Sequence, residues 1–417
     1  MTAMPTAAEE RRNQRNALLA GFLGWTLDAF DFFVLVMVLD AVAKDFGRTR
    51  PEIALTLTAS LAMRPLGALL FGILADHYGR RLPLILDIIF YSVIEVLSGL
   101  APNYTTFLIL RLLFGIGMGG EWGVGASLAM ESVSPRWRGV LSGVLQEGYA
   151  LGYLLAAIMY FTVFPAYGWR VIFFIGGLPA LLSLFVRAKV KESAAWHEHR
   201  VADWAAYRRA IALHWRRFAY LVLLMTMMNL MSHGTQDMYP TFLQQQRRFG
   251  PQETATITMI SMVGAICGGL LFGLFSDRGG RRRAMVTAAL CGVLMVPLWV
   301  FAPSTPLMVL GAFLMQFMVQ GAWGVIPAHI NELSPGALRG FFPGFAYQLG
   351  VLLASGITYL EAVLGEHFTY AQAMGLLAST VLLTAAVVIG LGPEAKGVSF
   401  RKAAGAPPDA KHSGQGG

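Results

Sequence analysis

Long apolar segments recur along the whole chain, at about residues 18–42, 53–75, 84–101, 104–130, 139–163, 169–188, 217–243, 255–276, 285–302, 306–331, 340–364 and 370–391. Each approaches the ~20 residues with which an α-helix crosses a bilayer core. The gaps hold turn sequences such as Ala101-Pro102-Asn103 and Ala302-Pro303-Ser304. In lipid a helix satisfies its own backbone hydrogen bonds, whereas an open sheet does not. The pattern predicts an all-α membrane protein with twelve transmembrane helices. Composition excludes the soluble alternative, because charged residues make up 13% of the chain where soluble domains carry about 25%. Two cysteines, Cys267 and Cys291, build no disulfide framework. The polar start, Glu9 to Arg15, runs into a first span too long for a signal-peptide core, so no cleavage is expected.

Lysine and arginine set an orientation. Of the 32 present, 24 fall in the N-terminal stretch, the even-numbered loops and the tail; six fall in the opposite loops, and Arg64 and Arg111 lie inside spans. The positive-inside bias places both termini in the cytoplasm, in a protein of the cytoplasmic (cell inner) membrane.

A shift of 201 residues maps Gly72, Asp76, Gly79, Arg80 and Arg81 onto Gly273, Asp277, Gly280, Arg281 and Arg282. The same shift maps Gly120, Trp122, Gly123 and Val124 onto Gly321, Trp323, Gly324 and Val325, and Glu131, Arg138 and Gly139 onto Glu332, Arg339 and Gly340. Two pseudo-symmetric six-helix bundles follow, residues 1–190 and 217–392, arranged as parallel repeats. Between them, in residues 191–216, Trp204, Tyr207, Ile211 and Trp215 recur at steps of three and four. That period predicts an amphipathic helix on the cytoplasmic membrane surface. Residues 393–417 are expected to form a disordered cytoplasmic tail.

Charge inside a span is costly and marks function or close pairing. In the seventh span Asn229, Ser232, His233, Gln236 and Asp237 crowd one helical face, just before Pro240 interrupts the helix. Such a face binds a polar ligand or glues two helices together. In the first span Asp28 and Asp31 share a face, and at the 201-residue shift they correspond to Asn229 and Ser232. Arg111, ~10 Å into the fourth span at 1.5 Å per residue, is expected near the level of Asp31. An acid beside a cation is a proton switch or a static salt bridge, carried here by Asp28 or Asp31. Arg64 offers a planar fork to a carboxylate ligand, or else pairs with Asp28 or Glu95. Gln348, Glu121, Glu147 and Gln146 are weaker binding candidates; Asp87 and Glu95 are candidates for internal pairing, and His329 for a satisfied core histidine. Asp76, Arg80, Glu131, Arg138, Asp277, Arg281, Glu332 and Arg339 all fall at cytoplasmic helix ends, where two opposite-charge clusters would latch the outward-open state. They are assigned to gating. No phosphate loop, zinc-binding histidine pair or nucleophile–base pair is found, so neither catalytic nor metal-binding residues are assigned, and nothing suggests nucleic-acid binding.

The segment Gly72-Ile-Leu-Ala-Asp76-His-Tyr-Gly79-Arg80-Arg81 and its copy at Gly273 to Arg283 resemble the loop signature of the major facilitator superfamily; Arg111-Leu-Leu-Phe-Gly115-Ile-Gly117 resembles that family's fourth-helix motif. Asn229-Leu-Met-Ser232-His233-Gly-Thr235-Gln236-Asp237, continuing to Thr241, is similar to the signature of fungal lactate/pyruvate permeases, which belong with the sialate and monocarboxylate:proton symporters. The resemblance implies the major facilitator fold and proton-coupled import of a short monocarboxylate, lactate or pyruvate, by alternating access. Arg64, Gln348 and the seventh-span face would hold the anion; Asp28, Asp31 and Arg111 would couple the proton. No cofactor besides the proton is expected, and the protein is expected to work as a monomer in the lipid bilayer. Alternatives are proton symport of sialate, an aromatic acid or a dicarboxylate, or a transporter-like receptor.

Overall fold

The computed structural model describes residues 7–200, 203–357, 360, 364 and 367–400. In the first half, α1 (Ala7–Asp45), α2 (Arg50–Tyr78), α3 (Arg81–Gly99) and α4 (Tyr104–Ser132) are each one helix. The fifth span is α5 (Arg138–Gln146) followed by α6 (Gly148–Thr162), and the sixth is α7 (Phe164–Ile175) followed by α8 (Pro179–Lys189). A short α9 (Ala194–His199) precedes α10 (Trp204–Gln236), α11 (Tyr239–Gln245), α12 (Pro251–Gly279), α13 (Arg281–Val300), α14 (Thr305–Leu333), α15 (Phe342–Ala354) and α16 (Tyr370–Leu391).

Ten of the described spans are long and apolar enough to cross a bilayer. The other two expected spans correspond to α10–α11 and α15. In α10 the polar residues Asn229, Ser232, His233 and Gln236 dilute the apolar run; α15 is a shorter apolar helix, and much of the chain after it lies outside the described residues. Local chemistry sets the breaks. Asn103 and Asp203 accept the backbone N–H groups of Thr106 and Ala206, capping α4 and α10. Gly79 and Gly280 turn the chain at φ 96° and 103°, a region glycine enters without a Cβ clash. Pro240 sits in the first turn of α11, where a missing donor is harmless.

Two segments differ from the sequence-based expectation. Residues 204–216 are no separate surface helix but run unbroken into the seventh span, and Tyr207 is buried with its hydroxyl donating to Asp76 at 3.0 Å. Residues 393–400 are largely exposed but tethered, through Glu394 to the backbone of Arg281 and Arg282 and through the Val398 carbonyl to Arg138. Phe400 is 3% exposed, with the guanidinium carbons of Arg138 and Arg339 at 3.8 and 3.9 Å from its ring centre. Residues 401–417 lie outside the described chain.

The outer faces keep large apolar side chains in the open, such as Leu66 and Leu70 on α2 and Leu290 and Leu294 on α13, as contact with lipid tails requires. Within the halves, α4 packs on α1, α2 and α3, and α14 packs on α12 and α13. Between the halves, α5 crosses α12 and α14, and α15 crosses α2 and α4, which is the same arrangement under the repeat. Small residues let these backbones touch. A Cβ on Gly143 would stand 2.5 Å from the Gly269 carbonyl oxygen, one on Gly139 2.5 Å from that of Gly273, and one on Gly123 2.5 Å from the Gly344 Cα. Gly143→Val should therefore wedge this seam, at about 1–3 kcal/mol of overpacking. The expected readouts are a lowered thermal midpoint and faster labelling, by a water-soluble thiol reagent, of a cysteine placed at the buried Ser142. Unchanged labelling would show that the seam is not closed by this contact.

Candidate functional site

The eight residues assigned to gating from the sequence come together in two clusters related by the repeat. Asp76 accepts from Arg80 (2.7 Å) in its own half and from the backbone N–H groups of Gly340 (2.7 Å) and Phe341 (3.2 Å) at the start of α15. Asp277 does the same with Arg281 (2.7 Å) and with Gly139 (2.8 Å) and Val140 (2.9 Å) at the start of α5. Each aspartate thus caps a helix of the opposite half, where the N-terminal dipole favours an anion. Glu131 takes Arg80 (3.1 Å) and Arg339 (3.2 Å); Glu332 takes Arg281 (3.0 Å) and Arg138 (2.9 Å). Burial works against the charge on Arg80, but Glu131 and Asp76 outweigh it and hold the guanidinium protonated more firmly than usual. Ser127 adds a third tie, donating to the Arg339 carbonyl at 2.6 Å. The two described chain ends lie at this same end. Asn13 and Asn16 of α1 bond Lys191 and Lys189, and Arg138 donates to Val398.

Away from the latch, the interior of the first half holds seven buried carboxyl or guanidinium side chains among the described residues: Asp28, Asp31, Arg64, Asp87, Glu95, Arg111 and Glu121, each no more than 6% exposed. Arg64 meets Asp28 through one nitrogen at 3.5 Å, and its Nε has no partner among the described residues. The expected Asp31–Arg111 pair does not form. Arg111 instead donates to Glu95 at 2.5 Å and to Ser98 at 2.6 Å, and its guanidinium lies over the Phe114 ring at 4.3 Å. The reason is the packing of α3 on α4, which presents Glu95 to Arg111 directly. Both oxygens of Asp31 are buried without a hydrogen-bond partner among the described residues, as are both of Asp87 and of Glu121. Asp31 and Glu95 nevertheless share one site, since both crowd the space beside Gly176. Asp87 does not pair internally, contrary to expectation. His329, expected as a satisfied core residue, is fully buried with neither ring nitrogen hydrogen-bonded to a described residue.

The seventh-span face divides. His233 and Asp237, 3.2 Å apart, remain substantially exposed. Gln236 donates to Gln316 (2.8 Å), Asn229 to the Met225 carbonyl (2.7 Å), and Ser232 accepts from Gln320 (3.3 Å), so these three also serve helix contacts. Gln348 is buried with both amide atoms unpartnered among the described residues. Spacing alone did not single out the aromatic residues around it. Trp25 stacks on Tyr149 (5.3 Å) and meets Trp122 (6.3 Å); Tyr347 meets Trp122 (4.6 Å), Trp323 (5.9 Å) and Trp25 (6.4 Å). The indole N–H groups of Trp25 and Trp122 lack partners among the described residues. Tyr149 lies in the electrostatic field of Arg64 and Asp28 from its own half and of Tyr347 and Asp237 from the other. An aromatic cluster between the halves, near a guanidinium and with spare donors, results. The duplicated Trp122 and Trp323 were its visible trace in sequence.

Residues 21–250 match the family model described as Major Facilitator Superfamily, and residues 219–394 match Sugar (and other) transporter. The chain belongs to the major facilitator superfamily. It is a membrane transporter and not an enzyme, an integral membrane protein with the twelve-helix, two-bundle fold of that superfamily. It is 31% identical over 93% of its length to 92% of a relative named probable 4-methylmuconolactone transporter, from Cupriavidus pinatubonensis. It is 28% identical, over 93% of this chain and 96% of the relative, to the sialic acid transporter NanX of Escherichia coli. The solved proton:xylose symporter XylE shares the fold at a TM-score of 0.74, with 18% identity over 93% of this chain and 98% of that one.

The ion pairs make a stability prediction for the transporter. Arg111→Ala strands Glu95 in the interior, a loss of about 3–5 kcal/mol when one partner of a buried pair is removed. Arg111→Ala combined with Glu95→Gln should recover much of the lost thermal midpoint. Asp31→Asn, which breaks no ion pair, should show no comparable loss. An additive double variant would mean the two residues are not coupled.

Proposed function

We propose that this transporter imports a small organic acid anion together with a proton, across the cytoplasmic membrane, with both termini in the cytoplasm. The observation that carries the reading is the incompletely paired Arg64 guanidinium among the aromatic residues. Its spare donors suit the bidentate hydrogen bonding of a carboxylate. Gln348 adds an unpartnered amide, and His233, Asp237, Asn229, Ser232 and Gln236 line the approach from the second half. Asp28 and Asp31 carry the coupling proton; Arg111 acts on them through Glu95. The proton is the only coupling ion, no other cofactor is needed, nucleic acid plays no part, and the monomer in the bilayer is the working unit. The basic-loop latch closes the cytoplasmic end, so the described state is open to the outside. The relatives' names, a muconolactone and sialic acid, support an organic acid.

Lactate or pyruvate is the substrate supported by the seventh-span signature. The aromatic cluster favours a second reading, a ring-bearing acid, since five flat side chains offer stacking surface that a three-carbon acid cannot use.

Uptake of labelled lactate and of labelled benzoate into proteoliposomes, under an inward proton gradient, separates these readings. Stimulation by the gradient is expected, and its absence for every acid tried would remove proton coupling. Benzoate taken up in preference to lactate would select the ring-acid reading. Arg64→Ala should raise KM about 30-fold or more, the equivalent of ~2 kcal/mol for a lost charge-assisted contact. Asp31→Asn should lose accumulation against a gradient while retaining exchange; a variant that still accumulates substrate would exclude Asp31.

A further inference from the structure

One ionisable side chain sits in the moving joint itself. Glu147 occupies the break between α5 and α6, one turn beyond Gly143, at the inner end of the seam where α5 crosses α12. Its carboxyl lies directly over Gly269 of the opposite half, and a Cβ there would clash with Glu147 Oε1. Around it, α1 presents Phe22, Trp25 and Thr26 to the start of α6; α12 presents Gly269 and α14 the Gln320 carbonyl. None of these carries a charge, and no described ionisable group contributes to the electrostatic environment of Glu147. The Glu147 carboxyl makes neither an ion pair nor a hydrogen bond among the described residues, yet the residue is only partly buried.

The repeat supplies the control. At the 201-residue shift Glu147 corresponds to Gln348, Gly143 to Gly344 and Gly269 to Ala68. The second seam, α15 on α2 and α4, therefore has a neutral amide where the first has an acid, and a methyl where the first has the glycine that accommodates the carboxyl. Gln348 lies within an unbroken helix, whereas the chain at Glu147 turns. At this pair of positions the first seam carries an acid and the second an amide.

We propose that Glu147 binds a proton whose presence is linked to closure of the α5–α12 seam. An ionised carboxylate pressed on an apolar glycine contact without a counter-ion opposes closure; the neutral acid does not. With the seam shut, the partly exposed carboxyl is reached from the open cleft and takes up a proton there. When the halves part, the same group meets water on the other side and releases that proton, so one proton is bound and one released in each cycle. Where transport is proton-coupled as proposed above, this proton adds to the one on the first helix, so import of a monoanion moves net positive charge inward.

The test reads conformation separately from transport. Spin labels on cysteines at Arg136 and Arg283, both exposed at the latch end, with Cys267 and Cys291 replaced by serine, report the separation of the halves by pulsed electron resonance. In substrate-free protein the wild-type background should shift from short to long distances as pH rises, with the steepness of about one proton. Glu147→Gln should stay at the short distance across the range. Glu147→Asp, which keeps the acid, should retain a titration at a displaced midpoint, showing that the glutamine result is not misfolding. Asp28→Asn and Asp31→Asn should leave the titration in place. A Glu147→Gln protein that titrates like the wild-type background overturns the proposal, as does a background with no titration. In liposomes an inside-negative potential should speed wild-type uptake but not Glu147→Gln uptake. A distance titration in a protein whose uptake ignores the proton gradient would sink the symport reading and leave this one standing.

Discussion

Closure of one end of this molecule rests on two aspartates that cap helices they do not belong to. Asp76 and Asp277 each sit in a loop-end turn of one half and take two backbone N–H groups from the first turn of a helix in the other. The geometry is self-checking, because an aspartate can meet those N–H groups only when the opposite helix arrives at the right height and angle. The arginine–glutamate pairs then lock the same register, since Glu131 and Glu332 each bind one arginine from either half. Buried ion pairs of this kind add little net stability, because desolvation offsets their attraction. Their effect is directional. Stranding any one of them is expensive, so the halves are held together as a unit or come apart as a unit, as a two-state gate requires.

That joint determines what the interior can do. With the latch end closed and the glycine crossings in contact, the aromatic residues around Arg64 lie beyond the inner end of the seam, and the exposed His233 and Asp237 are left in the open part. Phe400 strengthens the lock from outside. One ring covers Arg138 and Arg339, the repeat-related arginines of the two halves, so a single side chain touches both gates at once.

The latch was legible in sequence because the repeat wrote it twice, and two copies of the same charges at helix ends have few uses besides meeting each other. The partner of Arg111 was not. Helical spacing tells which residues share a face, but Asp31 and Glu95 lie at similar depth on different helices, and only the packing of α3 on α4 selects Glu95. The linker was misjudged for a related reason. The step of three and four from Trp204 to Trp215 is the same whether the helix stops or continues, and no glycine or proline follows to end it. Glu192 and Glu394 cap the starts of α3 and α13 by accepting from Arg80 and Arg81, and from Arg281 and Arg282. Their separation is one residue off the 201-residue shift, which hid them from a fixed-offset comparison.

The charge inside the first half is the deepest constraint on mechanism. Five carboxyl groups, Asp28, Asp31, Asp87, Glu95 and Glu121, share that interior with two guanidiniums, Arg64 and Arg111. Uncompensated charge is costly in a bilayer interior, so this surplus of carboxyl groups is where the proposed coupling proton would be held. Arg111 donates through one nitrogen to Glu95 and Ser98 at short distances, with its Nε unpartnered among the described residues, while Arg64 is held by a single long contact to Asp28. In the proposed mechanism an incoming anion binds Arg64, the less closely held of the two guanidiniums, and weakens its hold on Asp28, which then takes the proton. On that proposal substrate and proton are drawn into the same interior by one shortage of positive charge, and their coupling needs no direct contact between them.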